Sequence, residues 1–264
     1  MNVADFASRY GPTALVTGAA HGIGRAFAHS LAARGLSLLL VDIDGEGLKG
    51  TASSILGQYG VDVETLTADL TCSEALERVA ATGLRSNIGL LVNNAGIGVT
   101  DAFLNTKIED HLNILYLNTR APLFLTHKLV PAMQERGHGG VIFTCSIAAL
   151  IGAPGVGNYA ATKSYILSLA EALYGELLSK GVDALAVLPG LTRTRAVTAS
   201  LTAEQAQALV AMEPEQVTEG ALKALGKGPS VVPGIRPWLA SLAVRVMPRK
   251  PFLRYRGKVQ YQIK

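Results

Sequence analysis

The fold of this chain is decided by the stretch TGAAHGIG at residues 17–24. It follows a short apolar run at Thr13–Thr17 and leads into an Ala-, Phe- and Leu-rich segment that ends at Gly35. A glycine-rich turn between a buried strand and a helix leaves free backbone N–H groups at the helix N-terminus, where they can bind a phosphate. In this strand–turn–helix setting the pattern predicts a dinucleotide-binding βαβ unit, whereas a lone glycine pattern indicates no more than a turn.

Three glycines of this stretch have separate tasks. Gly18 allows a tight turn, Gly22 lets the backbone approach a pyrophosphate, and Gly24 permits close packing of the helix on the strand. Ile23 lies between the last two glycines, on the first turn of the predicted helix.

Apolar runs bounded by turn residues alternate with helical segments along the rest of the chain. Because parallel strands need helical crossovers on the faces of their sheet, the alternation predicts an α/β fold with a doubly wound, mostly parallel, seven-stranded sheet. We divide the chain into one Rossmann-type domain at residues 1–235 and a basic C-terminal extension at residues 236–264. The predicted strands are residues 13–17, 37–41, 63–67, 88–92, 141–144, 184–188 and 230–232, and the long helices are residues 108–136 and 158–180.

Composition excludes several classes of protein. Of the 264 residues, 49% are hydrophobic and 17% are charged, which excludes general disorder and fits a sheet buried on both faces. The net charge of +4 is unevenly distributed, because ten Lys and Arg but no Asp or Glu follow Glu219. The rest of the chain is therefore mildly acidic, and a nucleic-acid-binding surface is not expected.

Cysteine usage and targeting signals limit the setting in which the protein works. Cys72 and Cys145 provide neither a disulfide framework nor the spacing of a zinc site, so we expect no metal. No stretch resembles a signal peptide or is long enough to span a membrane. We therefore expect a cytoplasmic protein.

An acidic residue, Asp42, follows the second predicted strand. A carboxylate there can accept hydrogen bonds from both ribose hydroxyls of NAD and repels the 2′-phosphate of NADP. The neighbouring Ile43 and Asp44 offer that phosphate no cation, and His21 in the glycine turn is the one opposing feature. Asp42 therefore predicts NAD rather than NADP, with a simple turn residue as the alternative interpretation.

Polar residues also follow the third and fourth predicted strands. Asp69 could reach the edge of an adenine, although by itself it is better explained as the cap of a helix at residues 71–82. The sequence NNAG at residues 93–96 suits backbone pressed against a ligand, but it is also typical of a turn.

Tyr159 and Lys163 lie four residues apart at the start of a predicted helix, so their side chains share one face. An ammonium group beside a phenol favours the phenolate, which accepts a proton when an alcohol is oxidised. Ser146 lies just after the fifth predicted strand and could donate a hydrogen bond to a substrate oxygen, or merely begin a turn. Asn118 is a polar residue in an apolar helical stretch, where a local backbone bond that bends the helix would also explain it.

In this order and at this spacing, the features together resemble the short-chain dehydrogenase/reductase family from Thr13 to about Val232. The resemblance implies an NAD(P)-dependent oxidoreductase that acts on CH–OH groups and interconverts alcohols and ketones. The matching residues are TGAAHGIG from Thr17, Asp42, Asp69, NNAG from Asn93, Asn118, Ser146, YAATK from Tyr159 and PGLTRT from Pro189.

The resemblance implies a catalytic tetrad of Asn118, Ser146, Tyr159 and Lys163. In it, Tyr159 is the general acid/base, Lys163 activates Tyr159 and binds the nicotinamide ribose, and Ser146 orients the substrate. Asn118 holds a water that links Lys163 to solvent. Enoyl reductases of this family carry the Lys seven positions after the Tyr, where this chain has Ile166, so reduction of carbon–carbon double bonds is disfavoured.

The same resemblance implies the set of residues that bind the cofactor. They are Gly18, His21, Gly22, Ile23, Gly24, Asp42, Asp69, Leu70, Asn93, Ala95, Gly96, Tyr159, Lys163, Pro189, Gly190, Thr192 and Thr194.

The segment at residues 196–212 is rich in Ala, Leu and Val and is expected to cover the substrate. It predicts a small-molecule substrate that is an apolar alcohol or ketone, such as a lipid-like or alicyclic one, unless the segment is simply a packed surface helix. The long helices at residues 108–136 and 158–180 are those on which the family resemblance implies a homodimer or homotetramer.

The C-terminal extension carries an apolar stripe beside many basic residues, which fits two interpretations. It could contact an anionic membrane surface peripherally. It could instead pack along a subunit interface or over the substrate pocket, which we favour because three prolines interrupt any long helix. The stripe consists of Trp238, Leu239, Leu242 and Val246, and the prolines are Pro237, Pro248 and Pro251.

Three functions are consistent with the sequence. The first is an NAD(H)-dependent oxidoreductase that interconverts a secondary alcohol and a ketone. The second is a carbonyl reductase with the same chemistry but with NADP(H), which Asp42 opposes. The third is a non-catalytic, dinucleotide-binding regulatory or scaffold protein, against which all four positions of the tetrad argue.

Overall fold

Seven strands form one parallel sheet in the computed structural model, which describes residues 2–198, 202 and 210–262. The strands are β1 (Thr13–Thr17), β2 (Ser37–Asp42), β3 (Val63–Thr67), β4 (Ile88–Asn93), β5 (Gly139–Thr144), β6 (Val182–Val187) and β7 (Ser230–Val231). Their order across the sheet is β3-β2-β1-β4-β5-β6-β7, and each pair is parallel. This arrangement confirms the predicted doubly wound α/β fold.

Helices cover both faces of the sheet and bury its inner strands, β1, β2, β4, β5 and β6, between two apolar layers. They are α1 (Val3–Tyr10), α2 (Gly22–Ala32), α3 (Gly45–Tyr59), α4 (Ser73–Arg85), α5 (Ile108–Leu115), α6 (Ala121–Arg136), α7 (Gly157–Leu177), α8 (Arg195–Thr198), α9 (Pro214–Ala224), α10 (Ile235–Val246) and α11 (Arg249–Gln262). One face packs against α2, α3 and α9, and the other against α4, α6 and α7. Both faces are apolar, as the near-continuous hydrophobic strands require.

The strand order reverses between β1 and β4, and this position sets the location of the site. In a doubly wound sheet, the connections from two such strands leave in opposite directions and open a crevice at their carboxyl ends. The glycine turn follows β1 and the NNAG sequence follows β4. Both motifs therefore border the same crevice.

At the opposite end of the sheet, α1 is held by a buried polar contact. The Tyr10 hydroxyl donates a 2.7 Å hydrogen bond to Asp183 Oδ2, and Arg9 Nε donates a 2.8 Å bond to the same oxygen. Burial, followed by the bond to Asp183, raises the pKa of Tyr10, so the phenol remains a donor. A Cβ atom on Gly140 would lie 3.1 Å from the Tyr10 ring, so the strand needs a small residue there.

Two predicted strands begin too late because glycines or an aspartate precede their continuous apolar runs. The strand predicted at residues 141–144 begins at Gly139, and the one predicted at residues 184–188 begins at Val182 and ends at Val187. Gly140 and Asp183 belong to these strands, where they contact Tyr10. A search for apolar runs excludes such residues, although they pair normally in the sheet.

The helix predicted at residues 108–136 is not one continuous α-helix. A π-helical segment, Tyr116–Arg120, separates α5 from α6. Such a segment inserts an extra residue into the helix and often marks a functional site. It contains Asn118, one of the predicted catalytic residues.

Two helices form the C-terminal extension, and, as expected, its prolines leave no single long helix. Pro237 and Pro251 lie in the first turns of α10 and α11, where a backbone N–H has no partner within the helix. Pro248 lies between the helices. The prolines therefore set where the two helices begin, although they do prevent a single long helix.

In the described part of the chain, no helix combines the length and the apolar character needed to cross a membrane. The same residues contain no group of three or more His, Cys, Asp and Glu side chains that could hold a metal ion.

Candidate active site

The glycine turn is built of backbone that leaves no room for side chains. Gly18 and Gly22 have positive φ angles of 67° and 53°, which favour glycine. A Cβ atom on Gly24 would lie 1.9 Å from the carbonyl oxygen of Gly18. A Cβ atom on Gly18 would lie 2.9 Å from the Cα atom of Ala95. The turn therefore presents bare backbone at the N-terminus of α2, which fits a pyrophosphate.

An asparagine that the sequence analysis did not single out fixes this turn. Asn94 Nδ2 donates to the carbonyl oxygens of Thr17 and Gly18, at 3.0 and 3.2 Å. The Thr17 hydroxyl in turn accepts from the backbone N–H groups of Asn94 and Ala95, both at 3.0 Å. The two motifs that border the crevice are thus joined to each other. Its position as the second Asn of the NNAG sequence is the feature from which this role could have been predicted.

The side chain of Asn93 is used inside the fold. It is buried, and its Nδ2 donates a 3.0 Å hydrogen bond to the Thr126 hydroxyl on α6. The implied place of Asn93 beside a cofactor therefore concerns its backbone rather than its amide group. Gly96, from the same motif, lies next to two predicted catalytic residues: a Cβ atom there would be 3.1 Å from Asn118 Oδ1 and 3.3 Å from Lys163 Nζ.

Asp42 lies at the end of β2, against the glycine turn. Its Oδ2 accepts from the backbone N–H of Ala20 at 2.9 Å, and its Oδ1 accepts from that of Asp44 at 3.0 Å. These bonds hold the carboxylate in place, and each oxygen keeps a further lone pair for a ribose hydroxyl.

Two basic side chains contact Asp44, which lies two residues after Asp42. His21 Nε2 is 2.7 Å from Asp44 Oδ2, and Arg195 Nη1 is 3.2 Å from His21 Nε2 and 3.8 Å from Asp44 Oδ2. The backbone N–H of Gly47, followed by His21, holds the pKa of Asp44 below its usual value. The expectation that only His21 could oppose Asp42 is therefore wrong, because α8 brings a second cation to this place.

Asp69 forms a turn rather than a helix cap. Its Oδ1 accepts from the backbone N–H and the hydroxyl of Thr71, at 2.9 and 2.8 Å. Helix α4 begins only at Ser73, after Cys72, whose side chain makes no capping bond. The helix expected at residues 71–82 therefore starts two residues later than predicted. The adjacent Leu70 is buried in the apolar core.

Tyr159 and Lys163 lie on the first turns of α7, beside the loop that follows β4. Lys163 is buried, its Nζ donates a 2.8 Å bond to the carbonyl oxygen of Thr144, and this Nζ lies 5.7 Å from the centre of the Tyr159 ring. The Tyr159 ring packs against Gly98, where a Cβ atom would lie only 3.0 Å from Cδ2. Gly98 was missed by the sequence analysis because nothing in its spacing marks it.

Lys163 is also held through its backbone by Cys145, to which the sequence analysis gave no role. Burial raises the pKa of the Cys145 thiol to about 11, so the group stays protonated. Its Sγ donates a 3.0 Å bond to the carbonyl oxygen of Lys163. The end of β5 therefore binds both the backbone and the ammonium group of Lys163.

Asn118 makes contacts that a regular helix would not allow. Its Nδ2 donates to the carbonyl oxygen of Ile97 at 2.8 Å and to the Thr162 hydroxyl at 3.1 Å, while its Oδ1 accepts from the Ile97 N–H at 2.9 Å. The alternative of a local backbone bond is therefore wrong. The π-helical segment turns this side chain towards α7 and the loop of Gly96.

Ser146 lies two residues after the end of β5 and caps the short 3-10 helix Ile147–Leu150, since its Oγ accepts from the N–H of Ala148 at 3.1 Å. Its hydroxyl proton is left for another acceptor. The PGLTRT sequence at residues 189–194 forms a loop that we call the PG loop. It lies beside this 3-10 helix, because the Ile147 N–H donates a 3.1 Å bond to the carbonyl oxygen of Pro189.

The PG loop runs from this 3-10 helix to the glycine turn. Thr192 is buried, and its hydroxyl donates a 3.0 Å bond to the carbonyl oxygen of Gly190. At the far end, a Cβ atom on Gly22 would lie 2.9 Å from Thr194 Cγ2. The predicted cofactor-binding residues of this loop and of the glycine turn therefore form one continuous rim.

Next to this rim lies a cavity of about 530 Å³, one wall of which is formed by α10. Apart from Gln216 and Arg236, the residues that line it are apolar residues or glycines. A Cβ atom on Gly190 would lie 2.7 Å from Pro237 Cγ, so α10 packs directly on the PG loop. The lining residues are Ile147, Gly190, Leu191, Val210, Ala211, Met212, Gln216, Gly234, Ile235, Arg236, Pro237 and Ala240.

The segment predicted to cover the substrate, residues 196–212, is described only in part. Residues 199–201 and 203–209 lie outside the described residues, so its predicted role stays a prediction.

Comparison with known proteins places these features in a family. The family model described as short chain dehydrogenase matches residues 12–205. A Homo sapiens protein named inactive hydroxysteroid dehydrogenase-like protein 1 is 31% identical over 189 residues, which are 70% of this chain and 57% of that protein. The match therefore spans less than two thirds of the length of that relative.

Solved structures match a larger share of the chain. One from a study of 7beta-hydroxysteroid dehydrogenase stereoselectivity has a TM-score of 0.90 and 28% identity, and the match covers 97% of this chain and 100% of that one. A short-chain dehydrogenase from Sphingobium yanoikuyae in complex with NADPH has a TM-score of 0.77 and 32% identity, over 88% of this chain and 91% of that one. Motif order, sheet topology and family model agree, so this chain belongs to the short-chain dehydrogenase family of oxidoreductases.

Proposed function

We propose that this protein is an NAD(H)-dependent oxidoreductase that interconverts a secondary alcohol and a ketone. The observation that carries the proposal is the placement of Tyr159 and Lys163 beside Gly96 and Gly98, with Asn118 on the other side of that loop. A protonatable phenol, a buried ammonium group and bare backbone meet here, at the carboxyl ends of β4 and β5.

The chain's own residues perform the proton chemistry in this proposal. In the oxidation direction Tyr159 accepts the proton of the substrate hydroxyl, and in the reduction direction it returns that proton. The Ser146 hydroxyl donates a hydrogen bond to the same substrate oxygen. A bound nicotinamide dinucleotide supplies the hydride acceptor or donor.

Lys163 and Asn118 support Tyr159. One N–H of the Lys163 ammonium group is used by the carbonyl oxygen of Thr144, which leaves two donors for the hydroxyls of a nicotinamide ribose. Its positive charge lies 5.7 Å from the centre of the Tyr159 ring. Asn118 Oδ1 and Lys163 Nζ both face Gly96, and we place the water of the family's proton relay between them.

The proposed substrate is a bulky apolar alcohol or ketone, such as an alicyclic one. The cavity of about 530 Å³ beside the PG loop is within the size range of small-molecule sites, and its lining is largely apolar. The human relative is named for its likeness to a hydroxysteroid dehydrogenase, and one similar structure comes from a study of 7beta-hydroxysteroid dehydrogenase. Both names support the same substrate class.

A substrate panel tests this proposal. The purified protein is incubated with NAD⁺ and alicyclic secondary alcohols, including hydroxysteroids, and the absorbance of NADH is followed. We expect the catalytic efficiency for bulky alicyclic alcohols to exceed that for sugar alcohols by at least about 100-fold, because the apolar wall binds only the former. Reduced cofactor with the sugar alcohols alone would contradict the proposed substrate class.

We further propose NAD rather than NADP as the cofactor, on the basis of Asp42. Its fixed carboxylate suits two ribose hydroxyls and repels a 2′-phosphate, whereas the Arg195 guanidinium, beside His21, is the group that could favour that phosphate. We expect fluorescence titration to show that NADH binds at least about tenfold more tightly than NADPH.

The variant Asp42→Asn separates the charge of this residue from its shape. The amide keeps an oxygen acceptor but loses the negative charge, so we expect the preference for NADH to fall about tenfold. Glu46→Gln, on the exposed first turn of α3, is the matched control and should leave the preference unchanged. If NADPH binds more tightly to the unchanged protein, the role assigned to Asp42 is wrong.

A non-catalytic, dinucleotide-binding role is the second candidate, and the name of the human relative favours it. The same substrate panel separates the two candidates, because a non-catalytic protein binds NADH but turns over no alcohol.

We also propose, from the family, a homodimer or homotetramer formed on α5, α6 and α7. The half-exposed Leu112, Leu115, Tyr116 and Leu123 on this side support that surface.

A further inference from the structure

Helix α10 turns its large apolar side chains outward. Its inward side consists of small or half-buried residues, among which Ser241 is buried and donates a 2.7 Å bond to the carbonyl oxygen of Trp238. Pro237 on that side packs on Gly190. The structure adds Ile235 to the four residues of the apolar stripe defined from the sequence, so the stripe now consists of Ile235, Trp238, Leu239, Leu242 and Val246, which are 68%, 44%, 55%, 41% and 82% exposed.

The spacing of the apolar stripe is that of one helix face. Its members recur three or four residues apart, so they form a continuous strip along α10. Scattered exposed apolar residues are ordinary, but a contiguous strip of five on one helix indicates a binding surface. Pro237, which packs on Gly190, and the buried Ser241 lie on the opposite side of α10 from the stripe.

Positive charge surrounds the apolar stripe. At the spacing of an α-helix, Arg236 and Arg245 border it on either side. Helix α11 continues with exposed basic side chains, and no acidic residue follows Glu219 in the sequence. The basic residues of α11 are Arg249, Lys250, Arg254, Arg256 and Lys258.

The charge of the C-terminal segment favours an anionic partner for this surface. Pairing of two copies tail against tail would place two purely basic segments against each other, which like-charge repulsion disfavours. An anionic lipid surface offers the opposite charge together with an apolar interior, and Trp238 is of the residue type that favours the interface between them. We propose that α10 and α11 bind the surface of an anionic membrane, with the apolar stripe inserted between the headgroups.

Membrane binding would also place the cavity near the lipid. Ile235 belongs both to the apolar stripe and to the cavity wall, and Ala240 of the same helix lines the cavity. An apolar substrate dissolved in the membrane would then have a short path to the PG loop. This consequence rests on the proposed function, but membrane binding itself does not.

Co-sedimentation of the full chain with vesicles tests the proposal. The two compositions are phosphatidylcholine alone and phosphatidylcholine mixed with phosphatidylserine. We expect the protein to pellet with the anionic vesicles at least about tenfold more strongly than with the neutral ones, and to be released by high salt. Equal pelleting with both vesicles, or none with either, would overturn the proposal.

A double variant, Leu239→Ser with Leu242→Ser, tests the apolar stripe without touching the cavity lining. We expect its binding to anionic vesicles to fall at least about tenfold, whereas Leu178→Ser, an exposed leucine remote from the tail, should bind as the unchanged protein does. An NADH titration of each variant checks that the fold is retained. If the double variant instead loses a dimer in sedimentation velocity, a second copy covers the stripe and the membrane proposal fails.

Discussion

The variant Tyr159→Phe is expected to lower kcat for alcohol oxidation about 1,000-fold while NADH still binds within about threefold of its original affinity. The substitution removes only the hydroxyl group and keeps the ring that packs against Gly98. No other phenol of the proposed site can take over the proton, and water is a poor base in its place. Steady-state rates and a fluorescence titration on the same preparations measure both quantities.

A matched control lies on the same helix. Tyr165 is 43% exposed, so Tyr165→Phe makes the same chemical change outside the proposed site and should alter kcat less than about twofold. If Tyr159→Phe keeps more than a tenth of the original kcat, the phenol is not the general acid/base. If neither the variants nor the unchanged protein turn over any alcohol but all bind NADH, the non-catalytic role is supported instead.

The glycine turn, Asp42 and the seven strands could be predicted because each is local in the sequence. A strand, a turn and a helix occupy consecutive residues, and an acidic residue after the second strand is found by counting. Topology then brings the ends of β1 and β4 together, as the strand order does in this sheet. The order and spacing of motifs were therefore enough for the fold and for the outline of the site.

The contacts that tune the site could not be predicted in the same way. Arg195 approaches Asp44 from a helix far along the chain, so no inspection of residues near Asp42 finds it. Asn118 looked like an exception inside a regular helix, but the π-helical segment gives it partners in another loop. Cys145 holds Lys163 only because the end of β5 lies beside α7.

In the C-terminal extension, the residue types could be predicted to form a surface, but the orientation of that surface could not. Its basic and apolar residues were apparent, but their arrangement depends on where the prolines start the two helices. Only the packing of Pro237 on Gly190 establishes which side of α10 faces the PG loop and which side faces outward. The match to one solved structure of similar fold covers 97% of this chain, so most of the extension has a counterpart in that structure.

The second large effect is expected from Gly24→Ala. A Cβ atom at this position would lie 1.9 Å from the Gly18 carbonyl oxygen and 2.6 Å from Asn94 Nδ2, so the backbone of the turn has to move. We expect the free energy of unfolding to fall by about 2–3 kcal/mol and the Kd for NADH to rise at least about tenfold. Denaturant unfolding and fluorescence titration measure the two effects.

Gly50→Ala is the matched control for this prediction, because it makes the same substitution where there is room. Gly50 lies within α3, and a Cβ atom there would meet nothing within 4 Å. Alanine is the better helix former, so the free energy of unfolding should rise by about 0.5–1 kcal/mol with no change in NADH affinity. If Gly24→Ala destabilises the fold but binds NADH as before, the turn packs α2 on β1 without holding the pyrophosphate. A loss of NADH affinity in Gly24→Ala alone would assign the bare backbone of this turn to the cofactor.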